Sequence, residues 1–145
     1  MKLVIQRVDS AKVEVESKLI SKIGKGFLIL IGVSATDDGS EIEWLAKKTV
    51  GLRIFQDEDN KMNLSLKDLN GEILLVSQFT LYANCKKGKR PSFIEAALPE
   101  KAEKFYNLFA EELEKSGIKT KKGIFGAFMK VSLENNGPVT IILER

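Results

Sequence analysis

The segment that most constrains the fold is Ile73-Leu74-Leu75-Val76-Ser77-Gln78-Phe79-Thr80-Leu81-Tyr82-Ala83. Its first four residues are apolar without alternation. Such a run reads as a strand buried on both faces, so the sheet that holds it must be covered on both sides. The segment then turns polar, with Ser77, Gln78 and Thr80 placing three hydrogen-bonding side chains in four residues. Each needs a partner or carries a desolvation cost. Two readings are open. The groups satisfy one another or face solvent where the strand ends, or they form the polar floor of a pocket whose backbone N–H groups can hold an oxyanion.

The remaining chain supplies the covering layers. Lys2 to Val8 reads as a strand, and Ala11 to Glu16 as a second, half-exposed one with Val13 and Val15 on one face. Leu19 to Ile23 is its hairpin partner. Gly24 to Gly26 turns the chain, and Phe27 to Val33 is another buried strand. After the loop Thr36–Ser40, Ile42, Leu45, Ala46 and Val50 recur at helical spacing, with Trp44 beside them as a packing residue. Leu52 to Phe55 reads as a short strand. Asp57-Glu58-Asp59-Asn60 is a solvated hairpin turn, because its spacing is not that of a calcium loop. Pro99 opens a second helix with Ala102, Phe105, Phe109 and Leu113, joined by Leu108, as its apolar stripe; Ser116-Gly117 closes it. Phe128 to Leu133 alternates as a strand, Asn135-Asn136-Gly137 is a turn, and Val139 to Leu143 is the last strand. These elements predict one mixed α+β domain over residues 1–145, a largely antiparallel sheet or barrel with two main helices packed outside.

Composition narrows the chemistry. The 145 residues contain no histidine. That removes Ser-His-Asp catalysis, histidine general bases and most zinc sites. Cys85 is the single cysteine, so it has neither a histidine partner nor an internal disulfide, and a reducing cytoplasm is expected. No metal and no cofactor is expected. No apolar run approaches the ~20 residues of a membrane span, and the first residues do not read as a secretory signal. Net charge is only +3. Local runs matter more: Lys86, Lys87, Lys89 and Arg90 form one, and Lys119, Lys121 and Lys122 another. The first follows directly on the polar segment, where it suits a polyanion such as RNA.

A second motif lies near the C-terminus. Ser77-Gln78-Phe79-Thr80 and Gly137-Pro138-Val139-Thr140 together resemble the two signature motifs of the D-aminoacyl-tRNA deacylases, also called D-tyrosyl-tRNA deacylases. Val4-Ile5-Gln6-Arg7-Val8, Leu52-Arg53-Ile54-Phe55, Lys61-Met62-Asn63-Leu64-Ser65, Arg90-Pro91-Ser92-Phe93 and Phe125-Gly126-Ala127-Phe128-Met129 are similar to the same family. The likeness runs from end to end. It implies a homodimer that hydrolyses the ester of D-aminoacyl-tRNA, and glycyl-tRNA mischarged on the alanine tRNA. Its partner is the 3′ end and acceptor stem of the aminoacyl-tRNA.

By the same resemblance, Ser77, Gln78, Phe79 and Thr80 form the catalytic floor. Gly137 and Pro138 form a cis-peptide chirality filter that crosses into the partner's pocket, and Arg7 braces it. Phe125 and Met129 hold the terminal adenine. Lys86, Lys87, Lys89 and Arg90 would contact tRNA phosphates. Without histidine, a protein nucleophile is the less favourable route, and activation by the neighbouring ribose hydroxyl of the substrate is the alternative. Two other readings compete: a non-catalytic RNA-binding module, and an editing hydrolase for another misacylated tRNA. The residue inventory generates one direct prediction. Exhaustive dialysis against EDTA is expected to leave deacylation at its original rate; a loss that a divalent metal restores would refute it.

Overall fold

The computed structural model describes residues Met1–Arg145. The chain opens on β1 (Lys2–Val15), one strand where the sequence suggested two. It continues because it has neighbours along its whole length. Its first half pairs antiparallel with β3 (Gly26–Gly32), and its second half with β2 (Lys18–Ile23). The β1–β2 connection is a tight turn with Glu16 and Ser17 at φ 49° and 64°, the left-handed pair that matches the twist of a hairpin. Along its other edge β1 pairs with β8 (Lys130–Glu144). The register slips at Asp9, between the Val8 and Ser10 pairs. This bulge resets which residues face inward: Leu3 and Ile5 belong to the main core, and Val8, Ala11 and Val13 to a second one.

β6 (Glu72–Ser77) lies parallel to β3, from Gly26 opposite Glu72 to Ile31 opposite Ser77. Residues Ile73 to Val76 are at most 1% exposed, as a doubly buried strand requires. Phe27, Ile29, Ile31, Ile73 and Leu75 face the main core. That face is covered by α1 (Glu41–Val50) and α2 (Pro99–Lys115). Leu28, Leu74 and Val76 face the second core with Ile23 and Val13. On its far side β6 takes β7 (Lys119–Lys122), again parallel. The sequence Lys-Thr-Lys-Lys gave no strand signal and read as a charge run; here the open edge of β6 imposes the conformation. The sheet then curls until its two ends meet. Ser21 Oγ donates to the Lys122 carbonyl at 2.6 Å, and Lys121 Nζ donates to the Lys22 carbonyl at 2.5 Å. The result is a nearly closed, mixed barrel-like sheet with both helices outside.

Several readings need correction. β8 is one strand; Asn135-Asn136-Gly137 is not a hairpin turn between two strands. Gln6 pairs with Thr140 and Val8 with Asn135, so residues 136–139 bulge out opposite Arg7 alone. The strand expected at Leu52–Phe55 starts only at its last residue, as β4 (Phe55–Gln56), paired with β5 (Met62–Leu64) around the acidic turn. Trp44 is 40% exposed outside the core, with the Arg145 guanidinium 4.9 Å from its ring centre. Leu108 is at the surface as well, while Tyr106 and Ala110 complete the buried stripe of α2. No helix is long and apolar enough to cross a membrane.

The β3–β6 contact sets a sharp test. A Cβ added at Gly26 would stand 1.9 Å from the Glu72 carbonyl oxygen, which is backbone and cannot swing away. Gly26→Ala is expected to lower stability by about 3 kcal/mol through overpacking, read as a reduced urea midpoint.

Candidate active site

The ladder of β6 ends at the polar residues. Ser77 is the last strand residue, and the Gln78 N–H donates to the Ile31 carbonyl at 2.8 Å. The chain then leaves the sheet in a 3₁₀ turn, Phe79–Tyr82, closed by Leu81 N–H to Gln78 O and Ala83 N–H to Thr80 O. The polar set is therefore half strand and half turn, not a continuous strand. The Gln78 amide donates to the Thr80 hydroxyl, so part of the set satisfies itself. The N–H groups of Phe79 and Thr80 make no hydrogen bond within the chain, as the opening residues of a helical turn do not.

This strand end borders a cavity of about 690 Å³. Ser77, Gln78 and Phe79 line one side; Phe125 and Met129 line another. Ala102 and Tyr106 of α2 close the wall. The lining is mostly apolar, and its one ionisable side chain, Tyr106, is not a proton-transfer group at neutral pH. Burial pushes its phenol far above the ordinary tyrosine range, and the hydroxyl donates to the Leu75 carbonyl at 2.9 Å. Phe125 leans on Tyr106 with ring centres 5.9 Å apart. Met129 reaches over Gly123, where an added Cβ would come within 2.6 Å of its sulfur. It also packs against the second core, so its apolar and cavity-lining roles coexist.

The Gly137-Pro138 pair sits elsewhere. Its peptide bond is cis, and both residues are exposed at the tip of the β8 bulge, off the walls of the cavity in their own chain. Arg7 anchors this bulge from inside. Only 5% exposed, it donates from Nε to the Asn136 carbonyl at 3.1 Å, and through its two terminal nitrogens to Asn136 Oδ1 at 3.0 Å and the Ile54 carbonyl at 2.6 Å. Asn136 Nδ2 in turn donates to Asp9 at 2.7 Å. The Asn135 amide, oriented to give each neighbour its partner, donates to the Arg7 and Val139 carbonyls. Gly137 has φ 119°, and a Cβ there would meet Arg7 at 2.6 Å. Only glycine fits at this position.

Ser77, Gln78, Phe79, Phe125 and Met129 thus converge on one cavity, while Thr80 is not among the residues that line it. Lys86, Lys87, Lys89 and Arg90 lie on an exposed loop beyond the 3₁₀ turn, outside the cavity. Sequence reasoning missed Tyr106, Phe93 and Phe128 as wall residues, and Asn135, Asn136 and Asp9 as braces of the bulge. Phe128 lay in the segment similar to the family and at the start of an expected strand; β8 begins only at Lys130, and Phe128 is fully exposed.

Comparison with known proteins gives the family of the chain. The family model for D-Tyr-tRNA(Tyr) deacylase matches residues 4–144. The chain belongs to the D-Tyr-tRNA(Tyr) deacylase family. A D-aminoacyl-tRNA deacylase from Desulfatibacillum aliphaticivorans is 57% identical, with 99% of each chain covered. One from Thermotoga petrophila is 55% identical over 99% of this chain and 97% of its own. The solved structure of the c-Myc DNA Unwinding Element Binding Protein superposes with a TM-score of 0.93 at 46% identity, covering all of this chain and 99% of that one.

The brace of the bulge generates the next prediction. Lysine keeps the charge of Arg7 but cannot present three donors in one rigid fork. Arg7→Lys is expected to cost about 2 kcal/mol, measured by urea denaturation, because buried carbonyls lose charge-assisted partners.

Proposed function

We propose that this protein hydrolyses the ester joining a D-amino acid to the terminal adenosine of tRNA, releasing the free amino acid and the tRNA. The observation that carries the reading is the pair of unspent N–H groups at Phe79 and Thr80, beside an apolar cavity, in a chain of this family. Ester hydrolysis needs an attacking group, its activation, and donors for the tetrahedral oxyanion. The two backbone N–H groups supply the donors. The cavity offers no histidine or carboxylate to act as base, so the substrate's own ribose hydroxyl activates the attack. Ser77 and Gln78 position the ester, and the Thr80 hydroxyl, itself held by Gln78, is a secondary contact. Phe125 and Met129 receive the adenine, for which an aromatic ring and a thioether are suited partners.

Chirality is read by Gly137 and Pro138 of a second copy. Their exposure, and the Arg7 and Asn135 braces beneath them, support a rigid wall that another subunit carries into this cavity. A wall of backbone rejects an L side chain by clash and leaves the D side chain unread. Such a site takes many D-amino acids, and glycine on the alanine tRNA. The active form is then a homodimer acting in the cytoplasm. The open apolar rim at Phe79, Leu98 and Phe128 fits a surface that a second copy covers. Lys86, Lys87, Lys89 and Arg90 meet tRNA phosphates farther out. A purely RNA-binding role would use the same basic loop and stacking residues, but it leaves the polar cluster at the end of a buried strand unexplained.

Matched D- and L-aminoacyl-tRNA test the reading: rapid release from the D form alone is expected, and equal or absent release from both refutes it. In the same assay Thr80→Ala is expected to keep at least a tenth of the wild-type rate, since removing one secondary contact costs about 1 kcal/mol. Replacing the terminal 2′-hydroxyl of the tRNA with hydrogen is expected to be far more damaging. An inactive Thr80→Ala variant with a trappable acyl-enzyme on the wild type would overturn the substrate-assisted route.

A further inference from the structure

β7 carries three lysines with different surroundings. Lys119 and Lys121 both face Glu72, at 2.7 and 3.6 Å. Lys122 has no carboxylate partner. Its Nζ donates to Asn107 Oδ1 at 2.9 Å and stands 6.0 Å from the centre of the Tyr106 ring. Tyr106 is a wall of the cavity, and Phe125, three residues beyond Lys122, is another. An unneutralised ammonium is therefore pinned at the cavity's edge by a neutral amide. An ammonium has three donors and no acceptor, and Asn107 takes one. The other two are available to an anion that passes this edge.

Resting on the reading of the cavity as the aminoacyl-adenosine site, we propose that Lys122, positioned by Asn107, binds a backbone phosphate of the substrate's single-stranded 3′ end. A compact, strongly hydrated point charge suits a phosphodiester, which needs charge more than bidentate geometry. The side chain does not touch the ester, so it acts on how the tRNA is seated and not on the chemical step. It also gives the RNA a contact beside a residue of the cavity wall, Tyr106.

The experiment compares wild type, Lys122→Met, Lys122→Arg and Asn107→Ala on two substrates, D-aminoacyl-tRNA and D-aminoacyl-adenosine, which has no phosphate. Lys122→Met is expected to raise KM for the tRNA roughly five-fold with kcat retained, and to flatten the log–log salt dependence by about 0.7, the value for one single-strand phosphate. Its loss in kcat/KM is expected to be larger on the tRNA than on the adenosine. Lys122→Arg is expected to recover the tRNA, and Asn107→Ala to show a weaker version of the same change. Filter binding of uncharged tRNA gives a readout free of turnover, and the same weakening is expected there. Equal losses on both substrates, or an unchanged salt slope, would overturn the proposal. If wild type hydrolyses neither substrate the deacylase reading itself fails, whereas activity on both with no effect at Lys122 removes the phosphate contact alone.

Discussion

Everything in this structure depends on one constraint, the burial of the parallel β3–β6 pair on both faces. A strand such as Ile73 to Val76 has no solvent side, so it must carry one apolar layer above it and another below. The helices α1 and α2 supply the first. No further helix is available for the second, and the sheet supplies it by curling back, with β1, β2 and β8 wrapping Leu28, Leu74 and Val76. The long β1 makes this possible, since its bulge at Asp9 moves its inward residues from one core to the other. Gly26 marks how tightly the pair is set, because its backbone touches that of Glu72 where a side chain would stand. The candidate site is a consequence of the same pair. Parallel strands leave the sheet at a common end, and the chain from Ser77 onward departs there and opens the cavity.

The second constraint is the buried guanidinium of Arg7. A charge so far from water needs several partners, and here they are carbonyl and amide oxygens, not a carboxylate. Two of those oxygens belong to Asn136. The bulge at residues 136–139 is thereby fixed from within the fold while its tip, Gly137-Pro138, stays exposed. An exposed tip on a rigid base is an uncommon economy in a loop, which ordinarily gains exposure by losing order. It suits a feature that must keep its shape against another surface.

The buried strands, both helices and the β1–β2 hairpin were legible because their periodicity is strong and local. β7 was not. Lys119 to Lys122 is a strand only because β6 presents an open edge, a fact written in residues more than forty positions away. The continuity of β8 was hidden for a similar reason. Asn-Asn-Gly-Pro is ordinary turn chemistry, and only the register of β1 reveals that the chain bulges and resumes. At the site, Ser77, Gln78, Phe79, Phe125 and Met129 were found through motif resemblance, and the fold brings them together. Tyr106 was missed because it lies beside Phe105 on α2, where helical spacing alone does not say which of two neighbouring aromatics turns toward a cavity. Asn135 and Asn136 read as turn residues, and their role as braces exists only once Arg7 is placed beneath them.

The absence of histidine gives the site its logic. Catalytic side chains that titrate near neutrality must be held, oriented and tuned by neighbours, and this cavity has no such group. Backbone donors need no tuning, since the fold fixes their direction. The two N–H groups left over at this turn lie on exposed Phe79 and half-buried Thr80, so their acceptor comes from outside the chain. Water meets that need in the free protein. In the proposed reaction the ester oxygen takes its place as the cavity's apolar walls shed solvent. A hydrogen bond to developing negative charge is then stronger than it was to water, because the surrounding dielectric has fallen. In that reaction the rate enhancement would follow from the point at which β6 leaves its ladder, and side chains around it would have only to bring the ester to that point.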